Sequence, residues 1–579
     1  MNRWFRASLP AITLVLAAAI LLGVAAGPGF PWQRDSSSPS VPATTEHLAS
    51  ECQRDPAPVP RLEAAFDGRP FNYLHTCGNR IYDAEGREVK ITGINWYGME
   101  TGTYAPHGLW TRNWKSILDQ IVSLGYNTVR LPFSNEALES GRQPQGINYT
   151  LNPDLYGLTS LEIMDRIIQG ARERGLKIVL DRHRPDSRAQ STLWYNDRID
   201  EGRWIADWRM LAKRYRGNDT VIGMDLHNEP GGDATWGTGD PRTDWRLAAE
   251  NAGNAILEEN PYVLIFVEGI GNYEGQWYWF GGNLKGAGKY PIRLKIPNRV
   301  VYSPHDYGPG VYLQGWFLDP NFPDNLQEIW DTNWGYLHRE NIAPVVVGEF
   351  GGRSVGNDRE GQWQRALVDY MRRTGVGYIT WSLNPDSSGT GGLLGEDWQT
   401  VRQEKQSLYS TYLAPPLTAG DSSSFGPPSS AKIKLLYKSH AQQERTNNIS
   451  FILRIINDGA VPLKPSRLEI RYWFTRDDIS DVAQQAEVDW AALGRDFVEG
   501  EVRPAKGSQD SYLRLTFRED APAIPPYSSS GDILLRIHKS DWTDYLQTND
   551  FSFLPTEDFQ EASRITIYLD GRLIAGNEP

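Results

Sequence analysis

Cysteine is nearly absent from this chain of 579 residues, which contains only Cys52 and Cys77. Two cysteines exclude a disulfide scaffold, an iron–sulfur protein and a zinc site built from four thiolates. Spacing alone does not show that two cysteines are close, so a bridge between them and two free thiols are both open. The nine histidines form neither an HExxH pair nor a Cys/His cluster, so zinc hydrolysis has no support.

Basic residues are fewer than acidic ones, 59 against 72, which gives a formal net charge of −13. This balance argues against a nucleic-acid-binding protein, which would show a basic face. Aromatic residues are plentiful instead, with 21 Trp against 6 Met. Such a surplus fits stacking surfaces for flat ligands, and core packing is the alternative interpretation.

Long apolar runs are also lacking, apart from residues 9–26, which follow Arg3 and Arg6. A basic start, an apolar stretch and small residues before Ala26 predict a signal peptide or N-terminal anchor at 1–32. Cleavage is favoured, and permanent anchoring remains open because the run barely spans a bilayer. Residues 33–60, rich in Ser and Pro, are predicted to be a tether. We therefore expect a secreted or extracellular protein, or one held at the membrane by its N-terminus.

A Pro/Ser-rich linker at 414–431 divides the remaining chain into a body, 61–413, and a C-terminal domain, 432–579. The body contains eight short apolar runs rich in β-branched residues, with amphipathic helical patterns between several of them. This alternation predicts an α/β fold, a (β/α)8 TIM barrel. A doubly wound open sheet is the alternative, weakened because no GxGxxG follows the first strand. The predicted strands are 89–96, 126–133, 176–183, 221–228, 263–269, 299–307, 343–350 and 377–385.

The C-terminal domain has a different pattern. Alternating apolar and polar residues at 448–457, 466–474, 511–517 and 531–538 are typical of strands, and turn clusters separate them. Long helical patterns are scarce. The pattern predicts a separate all-β sandwich.

Two carboxylates follow apolar strands of the body, Glu229 after the fourth and Glu349 after the seventh. In a barrel the carboxyl ends of all strands meet at one mouth, where catalytic residues lie. A pair of carboxylates facing one cleft is the machinery of glycoside hydrolysis, one acting as acid and the other as nucleophile. Further polar or aromatic residues at strand ends are Arg130, His183, Asn228, His305, Tyr307 and Trp381.

Each of these residues could also have a purely structural role, because a lone glutamate at a strand end is more often a salt-bridge or capping residue. Their occurrence at the ends of so many strands favours a catalytic role. We expect Arg130 to keep Glu349 ionised, His305 to pass a proton to Glu229, and Asn228 to bind a sugar 2-hydroxyl. No G-x-S-x-G elbow occurs in the body, so a serine hydrolase has no support.

With these motifs in view, the body resembles glycoside hydrolase family 5, in particular bacterial secreted endo-β-1,4-glucanases. The matching segments include ITGINWYGMET, DLHNEP, YSPHDYGPGVY, VVGEFGG and WSLNPDSSGTGG, in family order. The resemblance implies a retaining mechanism with Glu229 as acid/base and Glu349 as nucleophile, and carboxyl groups about 5–5.5 Å apart. It also implies that the family's loop disulfides are missing, because Gly102, Ser187, Thr235 and Thr238 stand where close relatives carry cysteine.

The C-terminal domain looks like a family 3 carbohydrate-binding module, on segments such as RYWFTRDD, VDWAALG and IHKSDWTDYLQTNDFSF. The resemblance implies a flat cellulose-binding strip of Asp489, Trp490, Arg536 and Trp542, with core burial of the two tryptophans as the alternative. It also implies a structural calcium, although a solvated acidic turn would account for the same residues. The implied ligands are Thr475, Asp477, Leu546, Asn549 and Asp550.

The leading hypothesis is a secreted, retaining endo-β-1,4-glucanase with a cellulose-binding module. It needs no cofactor for catalysis, takes cellulose or a related β-glucan as its partner, binds no nucleic acid and is expected to be a monomer. Two alternatives stay open at this point: a retaining hydrolase of another β-glucan, xylan or mannan, and a non-catalytic cellulose-binding surface protein. Subsite loops decide polysaccharide preference, and sequence alone does not settle it.

Overall fold

The computed structural model describes residues 71–417, 432–459, 461–477, 482–505 and 511–579. The predicted signal or anchor, the tether and most of the linker lie outside these residues. No helix among the described residues is long and apolar enough to cross a membrane. Cys77 is disulfide-bonded. The chain's only other cysteine, Cys52, lies outside the described residues.

Eight parallel strands form the body, in the order β6-β5-β4-β3-β2-β1-β8-β7. Parallel bridges from Tyr302 to Val345 and from His305 to Glu349 join the two ends of this order, so the sheet closes on itself. The predicted (β/α)8 barrel is confirmed, and the open-sheet alternative is wrong. The strands are β1 (Thr92–Asn95), β2 (Thr128–Ser134), β3 (Lys177–Arg184), β4 (Val221–Asp225), β5 (Leu264–Val267), β6 (Val300–Tyr302), β7 (Val346–Val347) and β8 (Gly377–Thr380).

Helices surround the barrel and cover the outer faces of its strands. Their N-termini carry local start signals: Thr159 and Glu162 form a reciprocal capping box before α2, and Asp200 caps α3. The buried face of α2 centres on Ile163 and Ile167. The α-helices are α1 (Trp114–Ser123), α2 (Ser160–Glu173), α3 (Glu201–Arg214), α4 (Trp245–Glu259), α5 (Leu326–Trp330), α6 (Tyr336–Arg339), α7 (Arg359–Thr374) and α8 (Gln403–Tyr409).

The two ends of the barrel differ in chemistry. A three-stranded antiparallel sheet, His75–Cys77, Arg80–Tyr82 and Glu88–Val89, precedes β1. Leu74, just before this sheet, and Ile81, in its second strand, belong to one apolar cluster with residues of the barrel strands such as Ile222 and Leu264. This plug closes the amino end. Polar side chains are concentrated at the opposite end, where the site lies.

Smaller elements of the body are the hairpin Asn272–Tyr273 with Gln276–Trp277, a π-helix at Asp331–Gly335, and 3-10 turns at Asn135–Leu138, Pro153–Leu155, Gly315–Leu318 and Ser410–Tyr412.

The C-terminal domain is a sandwich of two antiparallel sheets, as predicted. Side chains alternate inward and outward along the strands, and the inward ones form one core in which Phe451 stacks on Tyr472 at 4.2 Å. One sheet contains Gln484–Ala491, Ile533–Lys539, Asn448–Asn457, Ile433–Ser439 and Gln560–Glu561, with Ser528–Ser529 beside it. The other contains Val498–Pro504, Ser511–Phe517, Leu468–Phe474, Ile565–Leu569 and Arg572–Ala575, and Arg445–Thr446 pairs separately with Tyr545–Leu546.

The sandwich contacts the outside of the barrel through polar groups. Arg174, the C-cap of α2, donates to the Tyr527 hydroxyl at 2.9 Å, and Asn113 donates to the Tyr527 carbonyl at 2.5 Å. Lys115 on α1 lies 3.1 Å from an oxygen of Asp458. The linker is therefore not the sole connection between the two domains.

Candidate active site

Arg130, on β2, is completely buried at the centre of the polar end of the barrel. Its Nε donates to Asp225 at 2.9 Å, its Nη1 to Glu349 at 2.6 Å and its Nη2 to Glu268 at 3.2 Å. Asp181 Oδ2 lies 3.1 Å from Nη1. Burial lowers the pKa of Arg130, but the four carboxylates outweigh burial and hold that pKa well above its ordinary value. One permanent cation on β2 thus contacts carboxylates from four other barrel strands.

Three of these carboxylates, Asp181, Asp225 and Glu268, are not among the residues that the sequence singles out. Burial raises the pKa of each of them above its ordinary value, although the Arg130 charge acts in the opposite direction. Burial thus disfavours the charged form of these three carboxylates, and the Arg130 cation favours it. The signal that could have found them is a carboxylate inside or directly after an apolar strand, as in IVLD, GMD and FVE.

Glu349 follows β7 and is only 3% exposed. Each of its two carboxylate oxygens accepts a hydrogen bond from a different side chain. Arg130 donates to Oε1, and the Tyr307 hydroxyl donates to Oε2 at 2.5 Å. Burial and the nearby Glu349 charge raise the pKa of Tyr307 well above its ordinary value, so its hydroxyl stays a donor. A carboxylate held in this way has fixed orientation and a single rotamer, as a nucleophile requires.

Glu229 follows β4 in a left-handed backbone conformation, with φ at 53°. Its Oε1 lies 3.2 Å from His305 Nδ1, and its Oε2 accepts from Gln190 at 2.9 Å. Burial raises the pKa of Glu229, but the hydrogen bond and charge of His305 outweigh burial and lower it overall. Burial lowers the pKa of His305, but Glu268 and Glu349 reverse this and raise it well above its ordinary value. In the free protein the proton of this pair therefore sits on His305.

The two glutamates both lie near the same ring nitrogen of His305. Its Nδ1 is 3.2 Å from Glu229 Oε1 and 3.6 Å from Glu349 Oε2. One oxygen of Glu229 and one of Glu349 lie within 4.8 Å of each other. This separation leaves room for a sugar carbon between the carboxylates and none for an additional water layer of the kind inverting sites contain.

His183 and Trp381 form a wall beside Glu349. His183 Nδ1 lies 2.6 Å from Asp181 Oδ2, and the imidazole stacks on Trp381 at 5.3 Å. Tyr97 also stacks on Trp381, at 5.0 Å and 6° between planes. Burial lowers the pKa of His183 to about 4, so the ring is neutral and its Nδ1–H donates to Asp181. Part of the Trp381 surface is thus covered by protein, and the side chain remains partly exposed.

Asn228, the residue before Glu229, is also buried at this mouth. Its Oδ1 accepts from Arg130 Nη2 at 3.0 Å, which assigns the amide orientation. The structure therefore brings together every residue that the sequence singles out at the barrel mouth: Arg130, His183, Asn228, Glu229, His305, Tyr307, Glu349 and Trp381.

Loops at the mouth are joined by hydrogen bonds at positions where the resemblance implies a missing disulfide. Thr235 Oγ1 lies 2.8 Å from Thr238 Oγ1. Ser187 Oγ donates to Glu136 at 2.7 Å and lies 3.2 Å from the Tyr104 hydroxyl. Polar contacts thus replace covalent links at three of these four positions, whereas Gly102 has open space around it.

The C-terminal domain presents an aromatic strip on one sheet. Trp490 is 52% exposed and Trp542 is 48% exposed, so the alternative of core burial is wrong for both. Arg536 donates to Asp489 at 3.0 Å across the adjacent strands Gln484–Ala491 and Ile533–Lys539, and Trp542 follows the second of these strands. Trp542 stacks on His538 at 4.2 Å, which fixes its plane.

The five implied calcium ligands meet at one corner of this domain. Asp477 accepts from the Leu546 N–H and from the Asn549 amide, both at 2.7 Å. Asp550 accepts from the Thr475 N–H at 2.8 Å. Two carboxylates, a side-chain amide, a hydroxyl and a backbone carbonyl make an all-oxygen donor set, which suits calcium.

Comparisons with known proteins agree with both halves of this architecture. Residues 82–387 match the family described as Cellulase (glycosyl hydrolase family 5), and residues 434–576 match a cellulose binding domain. The chain is 55% identical to an endoglucanase of Paenibacillus polymyxa, covering 59% of this chain and 87% of that one. It is 43% identical to the major extracellular endoglucanase of Xanthomonas campestris, covering 59% and 72%.

Solved structures give the same result. A cellotetraose complex of the endocellulase from Pyrococcus horikoshii is 42% identical, with a TM-score of 0.57, covering 59% of this chain and 98% of that one. A barrel with two glutamates at its carboxyl end is the architecture of a retaining glycosidase. The chain belongs to glycosyl hydrolase family 5, the cellulase family, and carries a C-terminal cellulose-binding module.

Proposed function

We propose that this protein is an endo-β-1,4-glucanase that hydrolyses internal bonds of cellulose with retention of anomeric configuration. The observation that carries the proposal is the pair of glutamates within 4.8 Å of each other, both next to His305 Nδ1. The endoglucanases at 55% and 43% identity support the substrate class. No cofactor takes part in the chemistry.

The reaction has two steps at one sugar carbon. In the first, an oxygen of Glu349 forms a bond to the anomeric carbon as the glycosidic C–O bond breaks, and Glu229 gives its proton to the leaving oxygen. In the second, water attacks the same carbon, Glu229 takes the water proton, and Glu349 is released as a carboxylate. Each step inverts the carbon once, so the product retains its configuration.

His305 supplies the proton for the first step. Its imidazolium faces Glu229 Oε1 at 3.2 Å in the free protein. A sugar that fills the cleft removes water from Glu229 and disfavours its anion, so the proton moves the short distance from Nδ1 to the carboxylate. Tyr307 and Arg130 hold the Glu349 carboxylate in position for attack at the same time.

Hydrolysis of carboxymethyl-cellulose tests this proposal. The full chain should lower the viscosity well before reducing ends accumulate, since internal cuts shorten the polymer fastest. Glu229→Gln keeps the size of the side chain and has no proton to donate, so its rate should fall about 10³-fold, within the range for general acid catalysis. Both rates are measured on one substrate batch.

The outcomes separate the alternatives. Reducing ends that rise without loss of viscosity would replace internal cleavage by attack at chain ends. Activity on mixed-linkage glucan, xylan or mannan alone would keep the chemistry and change the substrate. Inactivity of the wild-type chain on all of these polysaccharides would favour the non-catalytic binding protein.

We further propose that the aromatic strip of the C-terminal domain binds cellulose by stacking on the apolar faces of glucose rings. Trp490→Ala and Trp542→Ala should each weaken binding to insoluble cellulose by about 10-fold, the loss expected for one aromatic contact of about 1.5 kcal/mol. A pull-down with increasing cellulose measures it. Tyr156→Ala, another exposed aromatic but on the barrel, serves as control and should bind as the wild type. Unchanged binding in both tryptophan variants would rule the strip out.

A structural calcium held by Thr475, Asp477, Leu546, Asn549 and Asp550 is also proposed, on their donor chemistry. Such an ion would tie two segments of the module together, the one that holds Thr475 and Asp477 and the one that runs from Leu546 to Asp550. Chelation with EGTA should lower the melting temperature of the module's transition by several degrees, since a loss of about 1 kcal/mol shifts a domain of this size by about 2–8 °C. Calcium should restore it. Asp477→Asn should reduce the EGTA effect, and a melting curve unaffected by EGTA would contradict the site.

Secretion, with loss of residues up to about Ala26, is proposed on the basic, apolar and small-residue pattern of the N-terminus. N-terminal sequencing of protein recovered from the culture medium distinguishes cleavage from anchoring.

A further inference from the structure

Glu268 follows β5, is completely buried and touches both groups that handle the acid proton. Its Oε2 accepts the backbone N–H of Glu229 at 2.8 Å. Its Oε1 lies 3.2 Å from His305 Nε2, on the opposite side of the imidazole from Glu229. Glu268 thus contacts the acid/base residue at its main chain and the histidine at its far nitrogen.

The main-chain contact matters because Glu229 adopts a left-handed backbone conformation, which is unfavourable for a residue other than glycine. The hydrogen bond to Glu268 is the one that holds the Glu229 N–H in this conformation. Gly281 leaves space for the contact, because a Cβ there would lie 2.3 Å from Glu268 Oε2 and 3.3 Å from Glu229 Cα. The lack of a side chain at position 281 therefore makes room for the Glu268 carboxylate.

We infer that Glu268 is a positioning residue of the acid/base machinery: it fixes the direction of the Glu229 side chain and orients His305 toward it. The inference rests on the proposed glycosidase function and assigns Glu268 no contact with the sugar. Burial raises the pKa of Glu268, and the charge of the facing His305 acts in the opposite direction. The histidine thus favours the ionised form of this buried carboxylate.

Asp225 offers a matched control. It is a buried carboxylate on the adjacent strand β4, and like Glu268 it accepts from Arg130, at 2.9 Å. Within the described part of the chain, it makes no hydrogen bond to Glu229 or His305. Asp225→Asn and Glu268→Gln each remove a charge from the Arg130 network, but only Glu268→Gln changes a group in direct contact with Glu229 and His305.

The discriminating measurement is the dependence of rate on the leaving group. Phenyl β-cellobioside needs a proton on its leaving oxygen, whereas 2,4-dinitrophenyl β-cellobioside leaves as a stable anion. In Glu268→Gln, kcat/KM for the phenyl substrate should fall about 10²-fold, the lower range for general acid catalysis, and for the dinitrophenyl substrate by less than about 10-fold. With the latter, kcat and KM should fall together as the glycosyl-enzyme accumulates.

Asp225→Asn should lose equal factors on both substrates. Equal losses in Glu268→Gln would overturn the inference and leave the glycosidase function intact. Failure of the wild-type chain on both substrates, and on carboxymethyl-cellulose, would instead overturn the function. Glu268→Asp keeps the charge and is too short to reach the Glu229 N–H. If the glutamine variant does not fold, the aspartate variant must show the leaving-group dependence, and its absence there would also overturn the inference.

Discussion

Glu349→Gln is expected to lose activity about 10⁵-fold, a large part of the 10⁶-fold or greater acceleration that enzymes provide. The amide matches the carboxylate in size but cannot attack the anomeric carbon. It also removes the anion that faces Arg130 at 2.6 Å and Tyr307 at 2.5 Å. The loss should be similar with phenyl and 2,4-dinitrophenyl β-cellobioside, because both substrates depend on attack by this carboxylate for departure of the leaving group.

Azide distinguishes the two glutamates chemically. In Glu349→Ala, azide can occupy the space of the carboxylate and attack the sugar directly, giving one inversion and a product of opposite configuration. In Glu229→Ala, azide attacks the glycosyl-enzyme and gives the retained product. Product configuration by NMR decides the assignment, and exchanged outcomes would exchange the two roles. Glu328→Gln on α5, outside the mouth, is the folding control and should keep full activity.

The barrel was predictable because buried parallel strands leave a strong signal. A continuous β-branched run such as that of β3, flanked by polar loops and amphipathic helices, is typical of a strand covered on both faces. Closure of the barrel requires β6 to pair with β7, and no local sequence pattern predicts that pairing. The alternation of eight strand-like runs with helical patterns predicted it, and the Tyr302–Val345 bridge confirms it.

The site was predicted only where chemistry is visible in single residues. Glu229 and Glu349 stand out because carboxylates at strand ends are costly unless they are used. Asp181, Asp225 and Glu268 carry the same signal, but their importance depends on convergence around Arg130 from three strands, which is a tertiary property. Likewise, Tyr97 and Trp381 stack although they are far apart in the sequence, near the beginning and the end of the barrel. The sequence therefore could not predict that Tyr97 covers part of the Trp381 surface.

Arg130 is the residue on which both stability and chemistry depend. It is the permanent cation facing four buried carboxylates, so Arg130→Met should lower the free energy of unfolding by about 3–5 kcal/mol, as expected when one partner of a buried ion pair is removed. Arg214→Lys provides the comparison. Arg214 pairs with Asp165 at the surface, and its replacement should cost less than about 0.5 kcal/mol.

Arg130→Lys separates the two roles. The lysine ammonium restores the charge, and with it part of the lost stability, but a single point donor cannot contact Asp225, Glu268 and Glu349 together as the planar guanidinium does. Activity should therefore remain about 10⁴-fold below wild type, comparable to loss of a catalytic group. The Arg130 charge lowers the pKa of Asp181, Asp225 and Glu268, so weaker cationic contact should raise the pKa of these three buried carboxylates further. Urea unfolding and pH–rate profiles measure the two effects. A lysine variant with wild-type activity would show that charge alone, and not the geometry of the guanidinium, organises this site.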